Sequence, residues 1–284
     1  MAKSQENTRA QIARDFQLGD RDFQRIVALI GKHAGINLGE AKRNLVYGRL
    51  VRRLRSLNIA SFEDYIEHIE EPESAELEHF INSLTTNLTS FYRERHHFDF
   101  LREHLLPELS RRKKGEPILA WSAGCSTGEE PYSIAMTMAD HLPDNQKFRI
   151  LATDLDSSVV AHAAEGIYPE ARIEGLDKKQ LQRWFLRGTG SNSGMVRVRP
   201  ELRDHIAFRQ LNLMQPLPIK KKFDFIFCRN VIIYFNKETQ RKLFDRLQSV
   251  IADRGHIFIG HSESLYNVTS AFEPLGNTVY KRVP

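Results

Sequence analysis

The sequence predicts an open α/β sheet domain that carries a small antiparallel insertion and follows an all-helical domain. Three observations predict it. Residues 117–121 read as a short buried strand and residues 122–128 as a loop of small residues; Ile134, Ala135, Met138 and Ala139 then recur at helical spacing. A helix therefore begins near Glu130 or Pro131, proline being suited to a first helical turn. Further strand-like segments at 148–153, 205–213, 223–230 and 256–260 are interleaved with helical patterns, as a parallel sheet requires. Residues 16–84, by contrast, carry apolar spacing of the helical period alone.

A chain of 284 residues, 41% hydrophobic, is long enough for two domains with real cores. No apolar run approaches the roughly 20 residues that span a bilayer. The polar stretch 1–15 is expected to fray and lacks the apolar segment of a signal peptide. Two cysteines, Cys125 and Cys228, make no disulfide framework and point to a reducing cytoplasm, where the sequons at Asn87 and Asn267 carry no sugar. The net charge of +5 is uneven: residues 1–60 hold 12 Lys/Arg against 5 Asp/Glu, a net of +7, so the remainder sums to −2. That asymmetry suggests an acidic partner for the N-terminal part.

Within the helical domain (16–84), Asp20 is expected to cap a helix through Phe23, Ile26, Val27 and Ile30. After Gly35 and Gly39, a second helix over 40–57 gathers Val46, Tyr47, Leu50, Val51, Leu54 and Leu57 on one face. Arg49, Arg52 and Arg53 fall opposite, with Lys42 and Arg55 at the edges and almost no acid in the helix to balance them. A solvated face, a nucleic-acid backbone, an anionic membrane and an acidic protein helix all fit such a stripe. The scarcity of interleaved aromatics weakens the single-strand nucleic-acid option. Gly48 costs this helix about 1 kcal/mol. Ser61 caps a third helix, and Leu77, Phe80, Ile81 and Leu84 mark a fourth. Residues 85–94, dense in hydroxyls and then aromatic, form a linker that either merely caps or also contributes to a site.

A helix from Glu94 to Leu109 leads into the α/β domain (95–284), whose first loop is neither a dinucleotide fingerprint nor a P-loop. Its small residues, Gly124 and Gly128 among them, let a ligand approach the backbone, and its N–H groups are expected to point into the site. Glu129 and Glu130 stand where a phosphate binder would carry positive charge, which favours a cationic or hydroxyl-bearing ligand over a polyphosphate; an ordinary loop with solvated glutamates is the alternative. Asp154 follows the second strand, placed to accept hydrogen bonds from ribose hydroxyls; the alternative is an N-cap for the next helix, which Asp156 or Ser157 could supply, leaving Asp154 free. Arg229 and Asn230 end a buried strand at the edge where open α/β sheets bind ligands, with Tyr234 near the same end. Residues 166–210 form the insertion. Its glycine loop (Gly188, Gly190, Gly194) lies between strand-like flanks in hairpin grammar, and its edge suits an added peptide strand. Residues 278–281 read as a last edge strand. No His/Cys/Asp spacing suits a metal, and His96-His97 read as a helix-surface pair.

The segments TTNLTSFYRE (85–94), WSAGCSTGEEPYS (121–133), ATDLD (152–156) and FCRNVIIYF (227–235) together resemble the CheR-type chemotaxis receptor methyltransferases, over nearly the whole chain from about residue 20. The resemblance implies a Rossmann-like domain that binds S-adenosylmethionine and methylates glutamate side chains on chemoreceptor cytoplasmic helices. It implies a cofactor site of Asn87, Thr89, Arg93, Glu130, Asp154, Asn212, Leu213, Arg229 and Asn230, with Asp154 on the ribose, Glu130 on the cationic methionyl end and Asn212 and Leu213 beside adenine. It further implies that the basic helix (Arg49, Arg52, Arg53, Arg55) docks on the receptor. The β-insertion would tether a C-terminal receptor peptide. The enzyme would work in the cytoplasm, recruited to membrane-bound receptor arrays.

Arg93 and Tyr234 are the candidates for positioning the acceptor carboxylate, which needs no general base because a glutamate is already ionised near neutral pH. Two other functions compete: a methyltransferase of another substrate such as RNA, and a non-catalytic module that binds the cofactor and tethers receptors. A nicotinamide dehydrogenase is disfavoured by the missing fingerprint.

Overall fold

The computed structural model describes residues 16–113 and 115–283; the stretch 1–15, expected to fray, lies outside the described residues. The chain divides into a helical unit ending at Thr85 and an α/β unit beginning at Thr86.

The helical unit comprises α1 (Asp20–Ala34), α2 (Arg43–Leu57, entered through a 3-10 turn at Glu40–Lys42), α3 (Phe62–Glu70) and α4 (Glu76–Leu84). Phe23, Ile26, Ile30, Val46, Leu50, Leu54, Phe62, Tyr65, Ile66 and Phe80 form its buried core, the apolar positions that the helical period selected. Ser61 caps α3 by accepting from the Asp64 N–H at 3.1 Å. Asp20 does not cap α1. Gly19 holds that position, and Asp20 sits in the first turn, accepting from Arg43 at 2.7 Å.

The arginine stripe of α2 also departs from expectation. Only Arg52 and Arg55 are exposed. Arg49 donates to the carbonyls of Leu84 and Thr85 at the end of α4, at 2.9 and 2.6 Å. Arg53 makes a two-pronged pair with buried Glu76, at 2.9 and 2.6 Å, and Tyr65 donates its hydroxyl to the same carboxylate at 2.8 Å. The balancing acid comes from another helix, so the composition of α2 alone could not show it.

Burial by itself would raise the Glu76 carboxyl, but Arg53 and Tyr65 outweigh it and hold Glu76 below its ordinary range. A carboxyl depressed on folding contributes stability above its unfolded pKa, about 4.3, and loses it as pH falls through the lower folded value. Glu76→Gln should therefore cost the protein stability at pH 7 and progressively less below pH 4, read by urea denaturation at the two pH values. An equal cost at both would assign the effect to packing.

The α/β unit opens with α5 (His96–Phe100), a π turn (Leu101–Leu105) and α6 (Leu106–Arg112). The helix starts two residues later than expected because Glu94 adopts a left-handed backbone, φ 56°. The wide turn precedes Pro107, which has no N–H to donate. Then follow β1 (Ile118–Ala123), α7 (Glu129–His141), β2 (Phe148–Asp154), α8 (Ser157–Glu165), β3 (Ile167–Pro169), α9 (Lys178–Trp184), β4 (Phe185–Arg187), β5 (Met195–Val198), α10 (Pro200–Arg203), β6 (Ile206–Gln210), β7 (Phe223–Phe227), α11 (Lys237–Val250), β8 (Ile251–Phe258), β9 (Phe272–Gly276) and β10 (Val279–Arg282).

Seven strands form one sheet in the order β6-β2-β1-β7-β8-β10-β9. The first five run parallel and the last two antiparallel to their neighbours. Strand order reverses at β1, so the crevice beyond the carboxyl ends of β1 and β7 is the switch point of the sheet. Leu101, Leu105, Ile118, Ile134, Phe225 and Phe258 pack one face and Trp121, Ile226, Leu243, Phe244 and Ile257 the other. The central strands β1 and β7 are buried on both sides, as the middle of a parallel sheet demands, whereas the edge strand β6 is largely exposed.

The insertion is a separate antiparallel sheet, β3-β5-β4, whose hairpin closes where the Gly188 N–H donates to Met195 O at 2.8 Å; it stops short of the expected residue 210, because β6 pairs with β2 in the main sheet. Two expectations at the C-terminal end change. The strand expected over 256–260 begins at Ile251, with a bulge before His256 where the register with β7 shifts. Residues 279–282 are not the edge: β9 lies outside them, and its Phe-Glu-Pro-Leu-Gly hides a strand because proline and glutamate are atypical of one.

Candidate active site

The loop from β1 to α7 turns on two glycines in left-handed backbone. A Cβ on Gly124 (φ 97°) would lie 2.4 Å from Val231 Cγ2, so the loop packs against Val231, four residues beyond β7, only because glycine is there. Four of the loop's N–H groups are spent on the protein itself rather than offered to the crevice. Those of Gly124 and Cys125 donate to Thr153 O, that of Gly128 to Cys125 O, and that of Ser126 to the Asp154 carboxylate at 2.8 Å. With those donors consumed, the loop is no phosphate cradle.

Asp154, half-buried at the end of β2, also accepts the Asp156 N–H at 3.1 Å, while Asp156 itself caps α8. Asp154 is thus not free of local bonds, yet each of its oxygens takes only one of these donors and keeps further accepting capacity. Burial pushes its carboxyl up, and the two N–H groups pull the other way. Asn87 donates to Asp156 at 2.8 Å, and its carbonyl accepts from Ser126, which fastens residues 86–94 to the ends of β1 and β2. Asn212 and Leu213 follow β6 just beyond the Leu211 N–H, which donates to Asp154 O at 2.9 Å. Asn212 accepts the Met214 N–H at 2.9 Å, and Leu213 is buried.

The two glutamates that open α7 are buried rather than solvated. Glu129 is fully enclosed and paired with Arg172, which also donates to Thr89 O. Glu130 accepts the Ser122 hydroxyl at 2.7 Å and Arg229 Nη1 at 3.1 Å. Burial raises the Glu130 carboxyl, opposed first by the Arg229 charge.

Arg229 is the hub. It lies 3.3 Å from Glu94 Oε2, donates to the Arg93 carbonyl, and stacks its guanidinium 5.7 Å from the ring centres of both Phe98 and Phe227. Glu94 in turn accepts from Asn230 Nδ2 at 3.3 Å, from the His261 N–H at 3.2 Å and, at 2.8 Å, meets His261 Nδ1. Burial would raise Glu94, but the His261 donors and Arg229 prevail and hold it at about 2.

Asn230 (φ 57°) is pinned by Glu263, whose buried carboxylate accepts the N–H groups of Asn230 at 2.9 Å, Ile233 at 3.2 Å and Gly260. Tyr92 (φ 52°), Glu94 and Ser126 (φ 48°) share this left-handed backbone, so four strained non-glycine residues cluster around the crevice. Arg93 stands between two of them, half-buried, with Nη1 donating to Leu88 O at 2.8 Å. Tyr234 lies in a 3-10 turn (Ile232–Tyr234); among the described residues its hydroxyl has no hydrogen-bond partner.

The structure therefore gathers Asn87, Arg93, Glu130, Asp154, Asn212, Arg229 and Asn230 at the carboxyl ends of β2, β1, β6 and β7. Sequence reasoning missed Glu94, His261, Glu263 and Arg172 as parts of the frame. Glu94 stood next to Arg93 in a segment already singled out; His261 and Glu263 lie in a stretch with no periodicity to mark it.

His97 is not on the surface. It is fully buried, edge-on to Phe227 and Phe258, and burial lowers it to about 3, so it is neutral. Glu94, His96 and His97 bring ligand-type atoms within 4.8 Å of one another, but Arg229 beside Glu94 opposes a metal ion there. Burial likewise pushes both cysteine thiols up, so neither is a thiolate nucleophile.

Two family models match the chain: CheR methyltransferase, all-alpha domain, over residues 21–85, and CheR methyltransferase, SAM binding domain, over residues 87–281. The chain is 45% identical to the chemotaxis protein methyltransferase of Escherichia coli (strain K12), over 95% of this chain and 93% of that one. It is 43% identical to chemotaxis protein methyltransferase 2 of Pseudomonas aeruginosa, over 94% of each. It is 38% identical to the chemotaxis protein methyltransferase of Borreliella burgdorferi, over 86% and 88%.

Proposed function

We infer the reaction from one premise: the chain belongs to the CheR methyltransferase family. It is a methyltransferase dependent on S-adenosylmethionine, and it methylates glutamate side chains of chemoreceptors during chemotactic adaptation.

The observation that carries the reading to this site is the pair of carboxylates, Glu130 and Asp154, at the switch point of a sheet whose loop offers no phosphate cradle. Their chemistry fits the cofactor. Asp154 has accepting capacity for a ribose diol, and Glu130 is a buried carboxylate beside a guanidinium it shares, which suits a cationic methionyl end. When bound, S-adenosylmethionine supplies an electrophilic methyl group on a sulfonium. We assign Asn87 and Asn230 to framing that site, Thr89 to its wall, and Asn212 and Leu213 to the adenine side.

Arg93 and Tyr234 orient the acceptor. The acceptor glutamate arrives ionised, so these residues need only align its oxygen and exclude water. Arginine cannot act as a base, in keeping with an orienting role. The domain scheme follows: residues 16–84 dock the receptor, residues 85–94 join the cofactor site, and residues 95–284 carry the chemistry.

The receptor-docking face reduces to Arg52 and Arg55, since Arg49 and Arg53 are engaged within the helical unit. The outer strands β3 and β4 flank β5 and offer edges on which a receptor's C-terminal peptide adds a strand, with the hairpin at Gly188, Gly190 and Gly194 beside them. A Cβ on Gly188 would lie 2.0 Å from Asn192 O, so this tight hairpin needs glycine there. No described helix is long and apolar enough to cross a membrane. We place the enzyme in the cytoplasm, recruited to receptor arrays by these contacts.

Incubation with methyl-labelled S-adenosylmethionine and chemoreceptor-bearing membranes should put base-labile label in the receptor, released as methanol. Base-stable label, or label in RNA, would overturn the acceptor. Receptors truncated at the C-terminus should label several-fold more slowly; an unchanged rate would remove the tether.

A further inference from the structure

Among the described residues of the α/β unit, six large apolar side chains are exposed: Leu88, Leu186, Ile233, Tyr266, Leu275 and Val283. Scattered singly, such side chains call for no explanation. Leu88 and Ile233 differ in how firmly they are held and in what stands next to them.

Leu88 is 77% exposed, yet its segment is pinned at three consecutive residues. Asn87 donates to Asp156 at 2.8 Å, and its carbonyl accepts from Ser126 at 3.0 Å. The Leu88 carbonyl accepts from Arg93 at 2.8 Å and the Thr89 carbonyl from Arg172 at 3.2 Å. The leucine is thus held outward by bonds on both sides of it. Ile233, 52% exposed, is fixed in the same manner. Its N–H donates to buried Glu263 at 3.2 Å, and the carbonyl of its buried neighbour Ile232 accepts from Gln240 at 2.9 Å. The two segments are bonded to each other: Asn230 donates to Glu94 at 3.3 Å, and Arg229 donates to the Arg93 carbonyl.

The neighbours give these side chains a use. The carbonyl of Leu88 holds the guanidinium of Arg93, and Ile233 precedes Tyr234 in the same 3-10 turn. Arg93 and Tyr234 are the groups assigned above to the acceptor carboxylate. A helix with its side chains is about 10–12 Å across, and a glutamate carboxylate stands only one side-chain length from it. A carboxylate that reaches Arg93 and Tyr234 therefore brings its helix against the residues beside them. The side chains that share the glutamate's face, three and four positions away, meet that surface first. Two aliphatic side chains there match aliphatic partners.

We propose that Leu88 and Ile233 form an apolar rim on which the acceptor helix of the receptor docks, packing against aliphatic side chains one turn before and after the glutamate. This rests on the acceptor reading above. It adds to the charged contacts of Arg52 and Arg55 a contact that selects for the sequence around the acceptor.

The test is steady-state methylation of chemoreceptor-bearing membranes by the full chain, with S-adenosylmethionine affinity measured separately by calorimetry. Leu88→Ser and Ile233→Ser should each raise KM for the receptor about five-fold, and together about twenty-fold, with kcat and the cofactor Kd within about two-fold of the unaltered protein. Folding is not at risk, because both side chains are exposed and the bonds that hold their segments run through backbone atoms that the substitutions keep. Leu275→Ser, at an exposed leucine on β9, should change none of the three values. An aspartate placed in the receptor one turn from the acceptor glutamate should raise KM for the unaltered enzyme and much less for the double variant. An unmoved KM in the double variant would overturn the proposal. So would a cofactor Kd that rises in step with KM, which would make the two side chains part of the cofactor wall. Unaltered protein that labels no receptor would sink the acceptor reading itself, and the rim with it.

Discussion

Arg229→Met should destabilise the protein by about 3–5 kcal/mol at pH 7, the usual cost of removing one partner from a buried ion pair, and should abolish cofactor binding. The reason is arithmetic of charge rather than packing. Methionine fills much of the same space against Phe98 and Phe227, but Glu94 and Glu130 are left facing each other without the cation between them. The Arg93 carbonyl loses its donor as well.

The pH dependence separates this account from a packing defect. In the variant both carboxyls should have folded pKa values raised above their unfolded ones. Such groups stabilise fully below the unfolded pKa and lose that contribution as pH rises through the folded value. The gap between variant and unaltered protein should therefore be widest near pH 7 and narrow toward pH 5, read as the urea midpoint at each pH. A gap independent of pH would mean that the guanidinium serves by its bulk. Arg229→Lys should fall between the two, since one ammonium cannot satisfy two carboxylates and a carbonyl with the geometry of a planar fork.

What the sequence made legible follows from which interactions are local. The loop 122–128, the cap at Ser61 and the helical faces of the N-terminal unit depend on residues a few positions apart, and periodicity exposes them. Asp154 and Arg229 could be placed at the crevice because they follow strand ends in an open sheet, where ligands bind whatever the ligand, and Glu130 because it opens the helix after the first strand. The frame around them was not. Glu94 meets Arg229 and His261 across 135 and 167 positions, and Glu263 reaches back to Asn230 from a stretch without regular structure. The same limit applies to charge. The arginines of α2 looked unbalanced because Glu76, the acid that neutralises Arg53, lies on a different helix. Net charge along a segment counts residues; it does not reveal which of them the fold turns inward. The missed strand β9 has the same origin, because its place is set by pairing with β10 and not by its own composition.

Arg93→Ala should lower kcat about 10²- to 10³-fold, the range found when one oriented donor is removed from a reacting site, while changing stability by no more than about 1 kcal/mol. The two effects separate because the side chain and the backbone of Arg93 do different things. Its carbonyl accepts from Arg229, and that bond survives any substitution. Among the described residues its guanidinium makes one hydrogen bond, to Leu88 O, so little folding energy is at stake. The residue is nonetheless held at a cost: Tyr92 and Glu94 on either side occupy left-handed backbone, a strain that the Ser133 hydroxyl and the Arg229 charge offset. Strain spent on aiming one side chain is expected where aim matters and acid–base strength does not.

The acceptor carboxylate is already a nucleophile at neutral pH, so the rate above about pH 6 should be flat in both proteins. Arg93→Lys should recover only part of kcat, because an ammonium lacks the planar, paired donors that hold a carboxylate in register. The decisive comparison is kcat with saturating receptor alongside the thermal midpoint. A large fall in kcat with an unmoved midpoint assigns orientation to Arg93; an unchanged kcat removes it from the reacting centre and leaves Tyr234 as the remaining candidate.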